Sequence, residues 1–284
     1  MSSVSAVGTT ARRPSHRRKN TFLGVLTWII GFAFFFPVLW LVVTAFKQEV
    51  DASTDNPKIW FLPTISMFVN VFKSGFLTYL GNSAFVTAVS TLFVLALAIP
   101  AAYALSIRPV KKTQDALFFF ISTKMLPIVA VIVPEYILAE KLGLLDNVWS
   151  IILLYTAMNL PIAVWMLRSF MAEVPVEVLE AAEVDGAGMV RSFRAVLMPM
   201  ISPGIAATAL ICVIFAWNEF FFAVNLTASQ AGTVPVFLVG FITSEGLFFS
   251  QLAAAATMAA VPVVIAGWIA QKQLVRGLSM GAIK

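Results

Sequence analysis

Long segments of the chain contain no Asp, Glu, Lys or Arg, and they constrain its fold more than any other feature. Four of them cover residues 74–107, 147–167, 195–218 and 246–271. A membrane-spanning helix needs about 20 apolar residues, so each segment is long enough to cross a bilayer. Of the 284 residues, 60% are hydrophobic and only 12% are charged, against about 45–50% and about 25% in soluble domains. The sequence therefore predicts an all-α, polytopic membrane protein.

Apolar runs and their polar boundaries predict six transmembrane helices. They cover residues 22–46, 78–107, 116–139, 148–168, 201–226 and 247–271. An even number of helices places both termini on one side of the membrane. If the N-terminus is cytoplasmic, the outer segments contain only four basic residues, Lys47, Lys58, Lys73 and Lys141. The other basic residues, apart from Lys124, then lie on the cytoplasmic side, as the positive-inside rule requires.

The chain is expected to consist of a basic cytoplasmic tail, residues 1–20, and a single transmembrane domain, residues 21–284, with a cytoplasmic loop near residues 171–200. The apolar run after the tail exceeds the roughly 7–15 residues of a secretory signal, so we expect it to be retained as the first helix. The net charge of +5 comes from residues that flank predicted helices, where membrane orientation explains them. Nucleic-acid binding is therefore not expected.

The predicted cytoplasmic loop contains LEAAEVDGAGMVRSFRAVLMPM, residues 179–200. A first helix is expected to begin at Pro175 and end at Asp185-Gly186. A second helical piece, Met189–Leu197, is expected to break at Met198-Pro199. On the first helix three glutamates share one face, and the opposite face is small and apolar, with Val178, Leu179, Ala181 and Ala182. Such a helix can dock on a protein or rest on the membrane surface, and its spacing alone does not distinguish the two.

The spacing of this loop resembles the EAA loop of permease subunits in ATP-binding-cassette (ABC) importers. Glu180-Ala181-Ala182 is followed after three residues by Gly186 and after nine more by Val196-Leu197-Met198-Pro199. The family pattern has Ile and Leu where this chain has Val196 and Met198. The resemblance implies that the loop is a coupling helix that inserts into a groove of a cytoplasmic ATPase. The residues that it marks for this contact are Glu180, Ala181, Ala182, Asp185, Gly186 and Pro199.

Other segments are similar to carbohydrate importer permeases of the maltose-transporter type, in particular the subunit with six spans. These segments are Asn82-Ser83 and residues 143–146, 159–161, 215–219 and 277–282. Residues 122–127 (STKMLP) and 155–161 (YTAMNLP) most resemble the polyol branch, for mannitol and sorbitol. The resemblance implies a type I ABC importer permease fold in the bacterial cytoplasmic membrane, with both termini cytoplasmic. It also implies a carbohydrate solute, a polyol or a related sugar, with a di- or oligosaccharide as the alternative.

The same resemblance implies an assembly with a homologous second permease subunit, two copies of a cytoplasmic ATPase and an extracytoplasmic substrate-binding protein. The ATPase would bind ATP and Mg²⁺, since this sequence contains no phosphate-binding loop of the form GxxxxGK[ST]. The one histidine, His16, lies in the basic tail, which excludes a Ser-His-Asp triad and the usual histidine-based zinc sites. No catalytic role, metal or cofactor of the chain's own is expected.

The candidate functional residues within the predicted apolar helices are Lys124, Asn159, Asn218 and Glu219. Charge within a membrane is costly, so a function or a partner is expected for Lys124. The four either line a polar path for sugar hydroxyls or lock helices together through buried hydrogen bonds, and both interpretations stay open. Glu135 is predicted on the same helix face as Lys124 but about 16 Å away, too far to pair. Glu219 is then a candidate contact of Lys124.

Two other classes of membrane protein fit less well. A secondary carrier is expected to show paired intramembrane acids or inverted repeats, and the sequence has no evident internal repeat. A membrane scaffold or sensor would keep a docking hairpin but would need no ATPase. Co-purification with an ATPase distinguishes these possibilities.

Overall fold

The computed structural model describes residues 16–281, except residues 55, 57, 109, 110 and 245. Residues 1–15 of the predicted basic tail lie outside the described residues. The helices are α1 (His16–Ala45), α2 (Glu49–Ala52), α3 (Ser66–Lys73), α4 (Phe76–Ser106), α5 (Thr113–Met125), α6 (Ile128–Lys141), α7 (Val148–Ala172), α8 (Val176–Val184), α9 (Met189–Arg191), α10 (Met198–Trp217), α11 (Phe221–Leu226), α12 (Val234–Val239) and α13 (Phe249–Gly281). A π-helix, Ser192–Leu197, joins α9 to α10, and β1 (Ile242–Thr243) pairs with β2 (Gly246–Leu247) in an antiparallel hairpin.

Five helical segments of the described chain are long and apolar enough to cross a membrane. They are Leu23–Ala45, Phe76–Ser106, Val148–Ala172, Met189–Trp217 and Phe249–Gln271. Four of them coincide with a predicted span to within several residues, and Met189–Trp217 overlaps the predicted span 201–226. The all-α prediction is confirmed, with the two-residue strands of one short hairpin as an addition.

The predicted third span, residues 116–139, is wrong as a single straight helix. It consists of α5 and α6, which meet at 90°. Leu126 has an extended backbone, φ −69° and ψ 123°, and Pro127 directly precedes α6. A proline disfavours the helical conformation of the residue before it, so the helix ends there. The number of spans is therefore five, or six if this bent pair counts as one.

The boundaries of the predicted fifth span, 201–226, also differ in the structure. Helical backbone runs from Met189 to Trp217 without the predicted break at Met198-Pro199. The π-helix lies directly before Pro199, and its wider turn accommodates a residue that has no N–H and a bulky ring. At the other end, α10 stops at Trp217, and α11 is a separate short helix.

Helices α4 and α7 form the central pair of the bundle, α10 packs on both, and α13 packs on α10 and α1. Small side chains allow close approach of these helices, as is usual in membranes. Ala98 and Ala102 of α4 and Ala163 of α7 are fully buried in one core cluster. Helices α7 and α10 approach each other closely at Gly204, where an added Cβ would lie 2.3 Å from the ring of Phe170.

The two ends of the bundle carry different elements. We call the end with α8 and α9 the hairpin end, and the opposite end, with α2, α3, α11, α12 and the β1–β2 hairpin, the loop end. At the loop end, the Asn82 side chain of α4 donates hydrogen bonds to the carbonyl oxygens of Gln230 (2.8 Å) and Gly232 (3.0 Å). The Ser83 hydroxyl accepts one from the Val234 N–H at 2.8 Å. The first turns of α4 therefore hold the segment between α11 and α12.

Candidate functional site

The turn of the hairpin that was predicted to be cytoplasmic is closed by backbone hydrogen bonds after α8. The Gly186 N–H donates to the Glu183 carbonyl (3.0 Å), and the Ala187 N–H donates to the Ala182 carbonyl (2.9 Å). This is the pattern of a Schellman motif, which requires a left-handed residue after the helix. Gly186 supplies it with φ +82°. The predicted helix end at Asp185-Gly186 is confirmed, whereas α8 begins at Val176, one residue after the predicted Pro175.

The predicted small apolar face of α8 is divided between the bundle and the exterior. Leu179 is buried in a core cluster with Leu105 of α4, Leu117 of α5 and Leu197 of the π-helix. Ala182 is half-buried beside it, whereas Ala181 is exposed together with Glu180. Leu179 therefore fixes α8 to the bundle, and only part of the predicted face remains available to a partner.

The tip of the hairpin exposes apolar side chains that the sequence analysis did not identify as a contact surface. The exposed fractions are 87% for Val184, 61% for Met189 and 65% for Val190. They flank the turn at Asp185 and Gly186. A signal was present in the sequence, because exposed turns are usually polar and this one has apolar neighbours on both sides. Pro199 does not belong to this tip, since it lies in the first turn of α10.

Arg108, just beyond α4, makes a second connection between the hairpin and the bundle. Its guanidinium donates to the Glu183 carboxylate, and both side chains are about half exposed. An exposed ion pair contributes at most about 1 kcal/mol, so the burial of Leu179 is the stronger attachment. Leu179 and Arg108 therefore attach α8 to the bundle beside the end of α4.

The four intramembrane polar residues do not converge on one cavity. Lys124 lines a cavity of about 370 Å³ beside the break between α5 and α6. Asn218 lines a separate cavity of about 280 Å³ between the end of α10, α12 and α13. Asn159 is 1% exposed within α7, and its Oδ1 has no hydrogen-bond partner among the described residues.

Glu219 has a structural role at the loop end. Its carboxylate accepts hydrogen bonds from the N–H groups of Phe222 (2.9 Å) and Ala223 (3.3 Å), at the start of α11. The Tyr155 hydroxyl of α7 donates to the Glu219 carbonyl at 3.2 Å. The ion pairs within the described part of the chain join Lys58 to Asp51 and Arg108 to Glu183, so Lys124 and Glu219 are not paired.

The break between α5 and α6 brings Lys124 and Glu135 to the same cavity. The prediction that they lie on one face of a continuous helix is wrong, because the helix bends by 90° between them. Thr123, Met158 and Pro161 also line this cavity. The Glu135 Oε2 is buried without a hydrogen-bond partner among the described residues. A buried polar atom of this kind indicates a place for water or a polar ligand.

Asp146 forms the densest hydrogen-bonded contact of the loop end. Its carboxylate accepts from the N–H groups of Ala228 (2.8 Å), Gln230 (3.1 Å) and Ala231 (2.9 Å). Burial raises the pKa of this carboxyl, but the hydrogen bonds from the backbone of residues 228–231 outweigh that effect and hold the pKa below its ordinary value of 3.8. The sequence analysis placed Asp146 in a family segment without a role.

Comparison with known proteins identifies the family. Residues 95–279 match the sequence model of the binding-protein-dependent transport system inner membrane component. A probable ABC transporter permease of Sinorhizobium fredii is 38% identical, with 94% of this chain and 97% of that protein covered. The diacetylchitobiose uptake permease of Streptomyces coelicolor is 34% identical, with 88% and 91% covered. The trehalose/maltose permease of Thermococcus litoralis is 30% identical, with 88% and 91% covered.

The fold has a counterpart among solved structures. A chain of a bacterial ABC transporter that imports the polysaccharide alginate superposes with a TM-score of 0.73 at 23% identity, covering 92% of this chain and 99% of that one. The fold is therefore that of type I ABC importer permeases, as the sequence resemblance implied. The chain belongs to the family of inner-membrane components of binding-protein-dependent transport systems, and it is an ABC transporter permease, a multi-pass transport subunit rather than an enzyme.

Proposed function

We propose that the chain is a permease subunit of an ATP-driven carbohydrate importer, in which α8 couples a cytoplasmic ATPase to the membrane helices. The structure of the hairpin supports the coupling role. Its tip is apolar and exposed, and the other face of α8 is anchored in the core. The relatives named for diacetylchitobiose and trehalose/maltose support a carbohydrate as the solute.

Electrostatics favours a protein over the membrane surface as the partner of this tip. Glu177 and Glu180 of α8 are exposed beside the apolar residues Val184 and Met189. Anionic lipid headgroups would repel these carboxylates. A groove of a soluble subunit with basic residues at its rim would accept both the apolar tip and the acids. This partner is the ATPase, present in two copies, which would bind ATP and Mg²⁺.

The remaining partners and the orientation follow from the family and from charge. A homologous second permease subunit would complete the pathway, and an extracytoplasmic substrate-binding protein would dock at the loop end. A solved alginate importer was crystallised with a pentasaccharide-bound periplasmic protein. The positive-inside distribution of basic residues supports cytoplasmic termini and a cytoplasmic hairpin.

The coupling role is tested with two neighbouring glycines. A Cβ at Gly186 or at Gly188 would meet no atom within 4 Å, but only Gly186 has a positive φ. Gly186→Ala therefore adds about 1 kcal/mol of backbone strain, and Gly188→Ala adds none of this kind. We expect Gly186→Ala to lower binding-protein-stimulated ATP hydrolysis of the purified complex by up to about fivefold. Gly188→Ala is expected to remain close to wild type.

Two results would refute the importer assignment. One is a chain that purifies without any ATPase from cells that express the neighbouring transport subunits. The other is an assembled complex whose ATP hydrolysis does not respond to the loaded binding protein. A secondary carrier or a scaffold predicts both results.

For the solute we propose a polyol such as mannitol or sorbitol, with a di- or oligosaccharide as the alternative. The two segments that resemble the polyol branch, residues 122–127 and 155–161, both contribute to the cavity beside the α5–α6 break. Its volume of about 370 Å³ lies at the small end of the roughly 300–1,000 Å³ typical of ligand pockets. The relatives named above support the alternative. Calorimetric titration of the cognate binding protein with mannitol, sorbitol and trehalose decides between them.

Lys124→Met distinguishes a solute path from a helix lock. If Lys124 contacts the solute, the variant assembles and hydrolyses ATP normally, and its transport rate or solute preference changes. If Lys124 only locks helices, the assembled complex is lost. Glu135→Gln serves as a second probe of the same cavity, because it removes the charge and keeps the shape.

A further inference from the structure

A buried lysine at the loop end of α1 has no anionic partner. Lys47 is 2% exposed. Its Nζ lies 4.3 Å from the ring centroid of Trp40 and 5.2 Å from that of Phe61. The ion pairs and hydrogen bonds of the described residues do not include this ammonium group. Cation–π contacts stabilise a desolvated ammonium by less than burying the ion costs.

The ammonium lines a cavity of about 530 Å³ that has a polar end and an apolar end. Thr44 lines the same cavity, and its Oγ1 is buried without a hydrogen-bond partner among the described residues. Pro37 and Leu41 line it further along α1, about 15 Å and about 9 Å from Lys47 along the helix axis. Leu252 of α13 completes the apolar wall. A donor-rich end at the membrane boundary and an apolar end towards the bilayer centre follow the polarity of a phospholipid.

The nearby acids do not neutralise Lys47. Asp51 lines the cavity, but its carboxylate accepts from the Lys58 ammonium at 2.5 Å. Glu49 accepts from the N–H groups of Ser250 (3.2 Å) and Gln251 (3.4 Å) at the start of α13. The charge of Lys47 therefore favours an anionic occupant. Pro37 is itself exposed on α1, so the apolar end of the cavity meets the lipid-facing surface.

We propose that this cavity binds an anionic membrane phospholipid, with its phosphate hydrogen-bonded to the Lys47 ammonium and the Thr44 hydroxyl and its first acyl carbons against Pro37, Leu41 and Leu252. The site is independent of the solute pathway, because it shares no residue with the cavity at Lys124. It is also independent of the coupling hairpin, which lies at the other end of the bundle.

The test uses the assembled transporter, purified in a neutral detergent and titrated with phosphatidylglycerol. Native mass spectrometry counts the bound lipids, and thermal unfolding reports stabilisation. We expect Lys47→Met to lose one tightly bound phosphatidylglycerol per copy of this chain and to weaken the apparent affinity about tenfold or more. Lys141→Met, at an exposed lysine of the same end of the bundle, should bind as the wild type does. Lys47→Arg should retain the lipid, and Thr44→Val should bind with intermediate affinity.

Two further additives show whether the site binds the phosphate of a lipid or a free phosphate ion. Neutral diacylglycerol should neither bind nor stabilise at matched concentration, and inorganic phosphate should not displace the lipid. Equal stabilisation by inorganic phosphate would show a free-anion site and overturn the proposal. The proposal is also overturned if Lys47→Met retains the full number of bound lipids. It is overturned as well if Lys47→Met releases the second permease subunit in lipid-free detergent, because that result would identify a carboxylate of the partner as the group that binds Lys47. If Lys47→Met does not fold, the number of lipids bound to Thr44→Val and to Lys47→Arg tests the proposal instead.

Discussion

At the scale of single residues, Asp146 shows how one side chain can order a whole segment. Its carboxylate oxygens face several backbone N–H groups of the segment between α11 and α12. An asparagine has one acceptor oxygen, and its amide nitrogen would face donors. These donors are exposed or half-buried, and a hydrogen bond of this kind contributes about 0.5–1.5 kcal/mol to stability.

Asp146→Asn is therefore expected to lower the unfolding free energy of the complex by about 0.5–1.5 kcal/mol at pH 7. The pKa of Asp146 is lower in the folded state than its ordinary value of 3.8, so the stabilisation is complete above that ordinary value and is lost as the pH falls through the folded-state value. Thermal unfolding at pH 7, 5 and 3.5 measures this. The difference from wild type should stay constant between pH 7 and 5 and narrow only below about pH 4.

Glu140→Gln is the control, since Glu140 is an exposed acid at the end of α6. It should unfold as the wild type does at each pH. If the difference in stability between Asp146→Asn and the wild type disappears between pH 7 and pH 5, the stabilising role of the Asp146 carboxylate is contradicted.

At the scale of elements, the long apolar helices could be predicted from sequence, whereas the break between α5 and α6 could not. Charge-free runs determine where a helix can cross a membrane, but prolines within them have different effects. Pro100, Pro161 and Pro262 lie inside continuous helices, while Pro127 follows a helix end. The apolar composition around the proline is similar in both cases, and only tertiary packing decides whether the helix continues or ends there. The cavity shared by Lys124 and Glu135 depends on this break, so it was missed with it.

The contacts of Asp146 were inaccessible to sequence reasoning for another reason. The partners of its carboxylate are 82 to 85 positions away in the chain. The hairpin of α8 and α9, in contrast, is local. Its helix end and its glycine are encoded within residues 175–199, which is why the helix end at Asp185-Gly186 was predicted correctly. Only the burial of Leu179 depends on other helices.

The crossing of α7 and α10 supplies the prediction at this scale. Gly204→Ala would place a Cβ 2.3 Å from Cγ of Phe170, near the root of that side chain. We expect a loss of about 1–3 kcal/mol, because α7 and α10 must separate. Gly81→Ala and Gly267→Ala are matched controls, as an added Cβ meets no atom within 4 Å at either helical glycine. Thermal unfolding of the complex in detergent measures the effect, and equal stability of all three variants would refute the close crossing.

At the scale of the whole molecule, α4 connects the two ends. Asn82 and Ser83 in its first turns hold the loop end, and Leu105 in its last turn belongs to the same core cluster as Leu179 of the hairpin. The helix has 31 residues and is about 45 Å long. One element therefore links the hairpin end to the loop end.

Opposite orientation of the two ends is tested by labelling. Cysteines are placed singly at Val184, 87% exposed, and at Lys141, exposed at the end of α6, after the native Cys212 is replaced by Ser. In intact cells a membrane-impermeant maleimide is expected to label position 141 and to leave position 184 unlabelled. Inverted vesicles should give the reverse pattern. Labelling of both positions from the same side would exclude the proposed topology.

The β1–β2 hairpin has a practical consequence for engineering the protein. Its strands are exposed, while the Phe248 N–H closes its base on the Phe241 carbonyl at 3.1 Å. The chain before the hairpin is already held in place by hydrogen bonds to Asp146, Asn82 and Ser83. A longer hairpin after Phe241 therefore adds little to the entropic cost of closing this loop. We therefore expect the strands β1 and β2 to tolerate a replacement or an insertion. An epitope or a fluorescent reporter inserted there would be displayed at the loop end, and the transmembrane bundle would fold as before.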